Sequence, residues 1–200
     1  MRHLLFVVTI FICAFANAQI RITDTFDSSG VLAWNEYANK EKSALIMMGM
    51  LNLEVHKAAN VLVYTETDLP IQTEYDFKIS SKLIVPKIES DEIFGILFDM
   101  DEKFNRLAFV FTEDKFIACN LKGGKFDFEN SYENLIKLPK AKDKNMEIVL
   151  EQKGGKLIVS YDNMEVLKQK RKINSPIFGF ITTSKLQIDE VVLEQEYVGN

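Results

Sequence analysis

Apolar and polar residues alternate with a period of two along most of this chain. The pattern is sharpest in residues 93–111, IFGILFDMDEKFNRLAFVF. Two apolar runs flank a short polar turn there. One parity is bulky (Phe94, Ile96, Phe98, then Leu107, Phe109, Phe111), and the other is smaller or polar (Gly95, Leu97, Asp99, then Arg106, Ala108, Val110). A period of two puts these sets on opposite faces of a sheet. The pattern predicts a hairpin whose bulky face fills the core between two stacked sheets. Its smaller face is expected to form a shallow outer surface on which a ligand could lie.

Strand signals recur on both sides of this hairpin. Tyr75, Phe77 and Ile79 alternate with Glu74, Asp76, Lys78 and Ser80, as in a half-exposed antiparallel strand. Met146, Ile148 and Leu150 lead through Gly154-Gly155 to Leu157, Val159 and Tyr161. Residues 116–121 lead through Gly123-Gly124 to residues 125–128. Both read as hairpins, because paired glycines accept the positive φ of a tight turn. Gly49 marks a turn between residues 44–48 and Leu51, Leu53 and Val55, and Asp162-Asn163 marks another. Residues 61–65 form a further strand. Pro176 stands just before the strand 177–183, where the missing N–H breaks no ladder bond. The closing strand, 186–197, slips its alternation near Asp189, which predicts a bulge. Residues 130–136 are expected to form one short helical turn. About thirteen short strands with regular turn signals predict an all-β, two-sheet antiparallel sandwich.

The N-terminus breaks this pattern. Met1-Arg2-His3 precedes an apolar run over residues 4–15, and Ala16-Asn17-Ala18 is an A-x-A site. This reads as a signal peptide of residues 1–18, removed to leave Gln19 first. Ile12 before Cys13 does not suit a lipid-attachment site, and the apolar run is short for a membrane anchor. Residues 19–200 then form one domain of 182 residues, exported to the periplasm, secreted or extracellular, with no membrane span after cleavage. The formal charge moves from −5 to −6 with the loss of Arg2. An acidic chain with interspersed lysines points away from nucleic-acid partners. Of the two cysteines only Cys119 would remain, inside an apolar run, so it reads as a small core residue rather than a nucleophile.

Several segments, in order, resemble the concanavalin A-like lectin/glucanase superfamily of jelly-roll sandwiches, in particular its laminin-G-like and keto-disaccharide-hydrolase-like exported domains. Asp24-Thr25-Phe26-Asp27 followed by Trp34 looks like the opening strand. Gly49-Met50-Leu51-Asn52-Leu53, Tyr75-Asp76-Phe77-Lys78-Ile79, the 93–111 hairpin, Gly179-Phe180 and Ile188-Asp189-Glu190-Val191 follow in the matching order. The resemblance implies a concanavalin A-like jelly roll over residues 21–193. It implies no single activity, because this fold carries lectins, hydrolases and interaction modules.

The candidate chemistry is sparse. Laminarinase-like members carry E-x-D-x-x-E on one strand, and glycoside hydrolysis needs two carboxyl groups flanking the bond. The nearest stretch here, Glu89-Ser90-Asp91-Glu92-Ile93-Phe94, has Phe94 where the second glutamate belongs. No catalytic residue is assigned, and the sequence points away from an enzyme. Asp99, Asp101 and Glu102, with Asn105 nearby, are weak calcium candidates by ligand type, although they lack the spacing of a dedicated loop. Otherwise no cofactor is expected. One histidine and one cysteine cannot complete a zinc site. Asp99 and Arg106 share the hairpin's smaller face and are expected to pair across it. With Tyr64, they are the candidate ligand-binding residues. Trp34, Tyr37, Tyr64 and Tyr132 are the candidate aromatic platforms for a sugar, with Trp34 favouring the core. The sequence favours non-catalytic binding of a carbohydrate or another extracellular ligand by a sheet face or its rim loops. The alternatives are a glycoside hydrolase and a structural module that binds a protein partner through an open sheet edge.

Overall fold

The computed structural model describes residues 18–27, 30–56, 61–85, 92–136 and 144–197. The expected signal segment and the Glu89–Asp91 acids lie outside the described residues. Fifteen strands and no helix occur among the described residues. They begin with β1 (Ala18–Asp24), β2 (Tyr37–Ala38), β3 (Lys42–Met47), β4 (Met50–Val55) and β5 (Val63–Asp68). Next come β6 (Phe77–Val85), β7 (Phe94–Met100), β8 (Arg106–Phe111), β9 (Lys115–Lys122) and β10 (Lys125–Leu135). The last are β11 (Lys144–Lys153), β12 (Lys156–Tyr161), β13 (Met164–Lys170), β14 (Ile177–Thr182) and β15 (Lys185–Tyr197).

All pairings are antiparallel and make two sheets. The larger runs β13-β12-β11-β6-β15-β4-β3-β2. The thirteen-residue β15 is long enough to pair with β4 through its first part and with β1 through its second. The smaller runs β10-β9-β8-β7-β14-β5. The inward parity expected for the 93–111 hairpin holds. Phe94, Ile96, Phe98, Leu107, Phe109 and Phe111 all enter one buried cluster with Leu53, Ile79, Leu150 and Leu193 of the opposite sheet. Phe94 stacks on Phe111 at 5.5 Å, and Phe178 packs edge-on to Phe180 at 5.2 Å. Burial of these aromatic and aliphatic side chains is the main force joining the sheets.

The exterior of the larger sheet is polar and built as charge ladders. Glu151, Lys78, Glu194 and Arg21 lie side by side across β11, β6, β15 and β1, and Glu147, Lys82 and Glu190 make a parallel row. Arg21 pairs with Glu194 at 3.1 Å and Lys82 with Glu190 at 2.9 Å. The bulge expected near Asp189 is present, between Ile188 and Glu190, and leaves Asp189 exposed.

Two local expectations fail. Residues 130–136 do not turn into a helix, because Tyr132, Glu133, Asn134 and Leu135 pair with β9 and carry β10 on to Leu135. The exterior of the smaller sheet is not an open shallow surface either. Leu97, Ala108, Val110 and Ile181 have no exposed area and join Ile117, Cys119 and Leu121 in a second apolar cluster, with Leu62, Tyr64, Ile93 and Phe126 packed against it. Alternation correctly separated the two faces, but both faces are apolar and both are buried. Burial pushes the Cys119 thiol up to about 12, so it stays protonated and inert near neutral pH.

Candidate functional site

Two adjoining recesses with polar linings lie around the turn joining β7 to β8. The turn is built on Asp101. Its Oδ1 accepts the backbone N–H groups of Lys103 (2.8 Å) and Asn105 (2.9 Å), and its Oδ2 accepts the Asn105 amide at 2.8 Å. The Phe104 N–H donates to the Asp101 carbonyl at 2.9 Å, and the Asp101 N–H to the Asn105 carbonyl at 3.0 Å. Asp and Asn side chains fold turns this way by standing in for backbone partners. The Asn105 side chain, more than any other group, holds the Asp101 carboxyl below the usual carboxylate range.

This frame fixes Phe104 in a left-handed conformation (φ 62°) with 69 % of its surface exposed. A bulky side chain at positive φ is unfavourable, and such outliers concentrate at functional sites. Arg106 steadies the turn by donating from Nη1 to the Phe104 carbonyl at 2.8 Å.

The expected Asp99–Arg106 pair is not formed. Register slips between Phe98 and Met100, so Met100 and not Asp99 stands opposite Arg106. Asp99 is the extra residue of this bulge, with φ 56° and a buried side chain. A bulge re-aims the side chain it carries. Asp99 turns to the segment after β13, where its Oδ1 accepts the backbone N–H groups of Asn174 (2.8 Å) and Ser175 (3.0 Å), and its Oδ2 lies 3.4 Å from Arg171. Arg106 instead grips Glu66 of β5 through two nitrogens and lies 5.9 Å from the Tyr64 ring. The Glu66 hydrogen bonds, chiefly, raise the pKa of Arg106.

The three expected ligand-binding residues therefore split. Tyr64 and Arg106 meet on the smaller sheet, and Asp99 sits across the turn, anchoring the neighbouring segment. The weak calcium candidates do not converge either. Asp99 and Asp101 each accept several N–H bonds, and no group of three or more acidic, histidine or cysteine side chains is placed to hold a metal among the described residues.

Beside the turn lies an open cleft of about 690 Å³ whose wall includes Phe104, Met100 and Ile173, with Gln152, Asn174 and Arg171 as polar neighbours. A second recess of about 740 Å³ adjoins it and adds Asn105, Asn120, Lys103 and Lys122. Asp101, Glu102 and Asn174 belong to both. These volumes lie in the range of small-ligand sites, roughly 300–1,000 Å³. Of the aromatic candidates, Trp34 is buried in the core and donates from Nε1 to Asp24 at 3.0 Å. The Tyr37 hydroxyl donates to the Tyr64 carbonyl at 2.9 Å. Tyr132 is half-exposed on β10, away from the cleft. Phe104, Asn174 and Arg171 were not singled out by sequence reasoning. The available signal was Phe104 itself, one aromatic residue inside an otherwise polar turn.

Comparison with solved structures agrees with the architecture. The chain is similar to an endo-1,3-beta-glucanase (laminarinase) catalytic domain from Thermotoga petrophila RKU-1 (TM-score 0.60, 11 % identity, covering 91 % of this chain and 100 % of the other). It is also similar to the CBM2 module of the Lactobacillus casei BL23 phage J-1 evolved Dit (TM-score 0.56, 13 % identity, covering 92 % and 99 %). A third similar structure belongs to the endo-acting O-glycanases of the human gut microbiota that initiate mucin breakdown (TM-score 0.60, 12 % identity, covering 86 % and 97 %). No protein-family model matches the chain, and no curated protein matches it. The fold is an all-β, two-sheet antiparallel jelly-roll sandwich like those of these solved structures. Carbohydrate-binding modules and glucanase catalytic domains share this architecture.

Proposed function

We propose that this chain is an exported, non-catalytic carbohydrate-binding module that holds a glycan in the cleft beside Phe104. The observation carrying this reading is the Phe104 turn. An exposed aromatic ring is kept in an unfavourable backbone conformation by at least five hydrogen bonds, next to an open cleft lined by Gln152 and Asn174, with Asn105 and Asn120 in the adjoining recess. Sugars present apolar faces ringed by hydroxyls, which suit an aromatic platform flanked by amides. The likeness to carbohydrate-binding modules supports the same reading, and the expected signal peptide supports export.

Hydrolysis is less well supported. The position that would complete the E-x-D-x-x-E strand is Phe94, which points into the inter-sheet core. In the cleft, the Asp101 oxygens are occupied by three N–H donors. No described helix is long and apolar enough to cross a membrane.

One observation favours a second reading, a protein-interaction module. The eleven-residue β10 is an edge strand, and Phe128, Tyr132 and Leu135 on it are exposed. Its bulge between Asp127 and Tyr132 interrupts the edge and weakens that reading.

A glycan array probed with residues 19–200 and with a Phe104→Asn variant tests the proposal. Wild type should bind at least one glycan, and Phe104→Asn should bind it at least tenfold more weakly, about 1.4 kcal/mol. The thermal midpoint should hold or rise, since asparagine tolerates positive φ better than phenylalanine. Failure to bind any glycan, with co-purification of a protein partner, would move the assignment to the edge-strand reading. Equal binding by the variant would remove Phe104 from the site.

A further inference from the structure

We infer that the glycan held in this cleft carries an isolated anionic group, a carboxylate or a sulfate, and that Arg171 receives it. The inference rests on the carbohydrate-binding reading above and adds the ligand's charge.

Arg171 lies just past the end of β13, in the segment that Asp99 anchors. A guanidinium offers five N–H donors in a planar fork. Here its hydrogen bonding among the described residues is a single contact, Nη2 to Asp99 Oδ2 at 3.4 Å. Asp99 does not depend on it, because the Asn174 and Ser175 N–H groups already reach its other oxygen at 2.8 and 3.0 Å. Arg171 Nε is buried and has no hydrogen-bond partner. An unpaired buried donor is uncommon in a native protein, so the described residues leave the guanidinium under-satisfied.

The side chain is not sealed in. One third of its surface is exposed, and it lines the cleft together with the exposed Lys172. The partner that matches a planar fork with free donors is a planar or tetrahedral oxyanion, bound through two parallel N–H bonds.

The other charges around the cleft narrow the ligand further. Glu74, Asp101 and Glu102 line the same cleft. Lys103 and Lys122 line the adjoining recess, and Lys122 is already paired with Asp127. A dense polyanion would meet these carboxylates wherever it left the Arg171–Lys172 corner. The acidic chain as a whole repels it too. A mainly neutral saccharide with one acidic substituent meets only the favourable corner, and its uncharged sugars are free to lie against Phe104.

The test is an array of matched oligosaccharide pairs, each neutral and with one added glucuronate or one added sulfate, which separates the two sources of charge. Wild type should prefer one charged member at least tenfold, and the preference should shrink as salt rises. Arg171→Gln should cut the preference to about twofold or less, a charged-to-neutral ratio that a general loss of affinity would leave unchanged, while Asp99 keeps its backbone donors. Arg171→Lys, which keeps the charge and loses the fork, should fall between them. Lys172→Gln, at an exposed site, should lower the preference two- to threefold without touching the fold.

Equal binding of matched pairs by wild type overturns this inference and leaves the carbohydrate-binding reading intact. So does an undiminished preference in Arg171→Gln. No binding to any pair overturns both. Should Arg171→Gln fail to fold, the wild-type ratio and its response to Lys172→Gln decide the question.

Discussion

Asp24 organises the start of the domain from a single buried carboxylate. Its Oδ1 accepts the Phe26 N–H at 3.0 Å, and its Oδ2 accepts the Leu32 N–H at 3.2 Å and the Trp34 indole N–H at 3.0 Å. The chain therefore folds back on itself after β1 and delivers Trp34 onto Phe26 and Phe180. Removing the carboxylate strands three donors, each worth about 1–3 kcal/mol when left unpaired and buried. Asp24→Ala should lose about 3 kcal/mol or more, and the thermal midpoint should fall by roughly 10 °C. Trp34 is the sole tryptophan, so a red-shifted native emission should report the loosened loop. An unchanged midpoint would show that the backbone finds other acceptors. The sequence showed the spacing of Asp24 and Trp34 as an opening motif but not the bond between them. That bond depends on how the intervening loop closes, and alternation carries no information about loops. Asp99 was misread for a related reason. Counting parity assumes an unbroken register, and one bulge residue sent its carboxylate to Asn174 and Ser175 rather than to Arg106.

At the scale of elements, strand parity was legible and strand environment was not. The apolar residues that alternation singled out in β6, β7, β8, β11 and β12, from Phe77 and Ile79 to Val159 and Tyr161, are all buried in the core between the sheets. The exterior of the smaller sheet was misjudged, since whether a moderately apolar face is covered depends on packing partners distant in sequence. The helical turn expected at 130–136 lost to pairing with β9, tertiary context overriding a weak local preference. Gly95 and Gly179 carry a constraint that parity alone does not show. A Cβ on Gly95 would lie 2.0 Å from the Phe109 carbonyl oxygen, and one on Gly179 would lie 2.2 Å from that of Thr65. Both obstacles are backbone atoms of the neighbouring strand, so relief requires parting β7 from β8 or β14 from β5. Gly95→Ala should therefore lose more than about 2 kcal/mol, seen as a lower urea midpoint with an unchanged slope. A midpoint equal to wild type would show that the strands yield cheaply.

The β7–β8 turn adds a pH dependence of known sign. The folded Asp101 carboxyl titrates below its ordinary value, so its contribution is complete above about pH 4 and fades as the pH falls through the lowered folded value. Amide resonances of Lys103, Phe104 and Asn105 should stay fixed from pH 8 to about 4.5 and move only below that. A transition near pH 6 would mean that another group controls the turn.

At the scale of the whole molecule, the main core among the described residues belongs to neither sheet alone. Phe98, Phe109 and Phe178 of the smaller sheet are buried in the same cluster as Leu53, Phe77, Ile148 and Leu193 of the larger. Phe77 and Phe98 meet across the interface with ring centres 5.7 Å apart, as do Phe111 and Tyr161 at 5.6 Å. Neither sheet can leave without exposing the other's inner face, which favours an all-or-none transition. The connectivity strengthens this coupling. β15, the last strand, lies between β6 and the pair β4 and β1, so the larger sheet is incomplete until the C-terminal strand is in place. Many such long-range pairings predict slow folding, on the order of milliseconds to seconds. Calorimetry on residues 19–200 should give one transition whose calorimetric and van't Hoff enthalpies agree. Reductant should not shift it, since Cys119 would be the lone cysteine of that chain. Two resolved transitions would mean that the sheets unfold separately. The end bearing Phe104 and Arg171 would then be tied to only one of them, although Gln152 of the larger sheet and Phe104 of the smaller line the same cleft. A single transition accords with a cleft assembled from both sheets and rigid on its own, as the proposed glycan site requires.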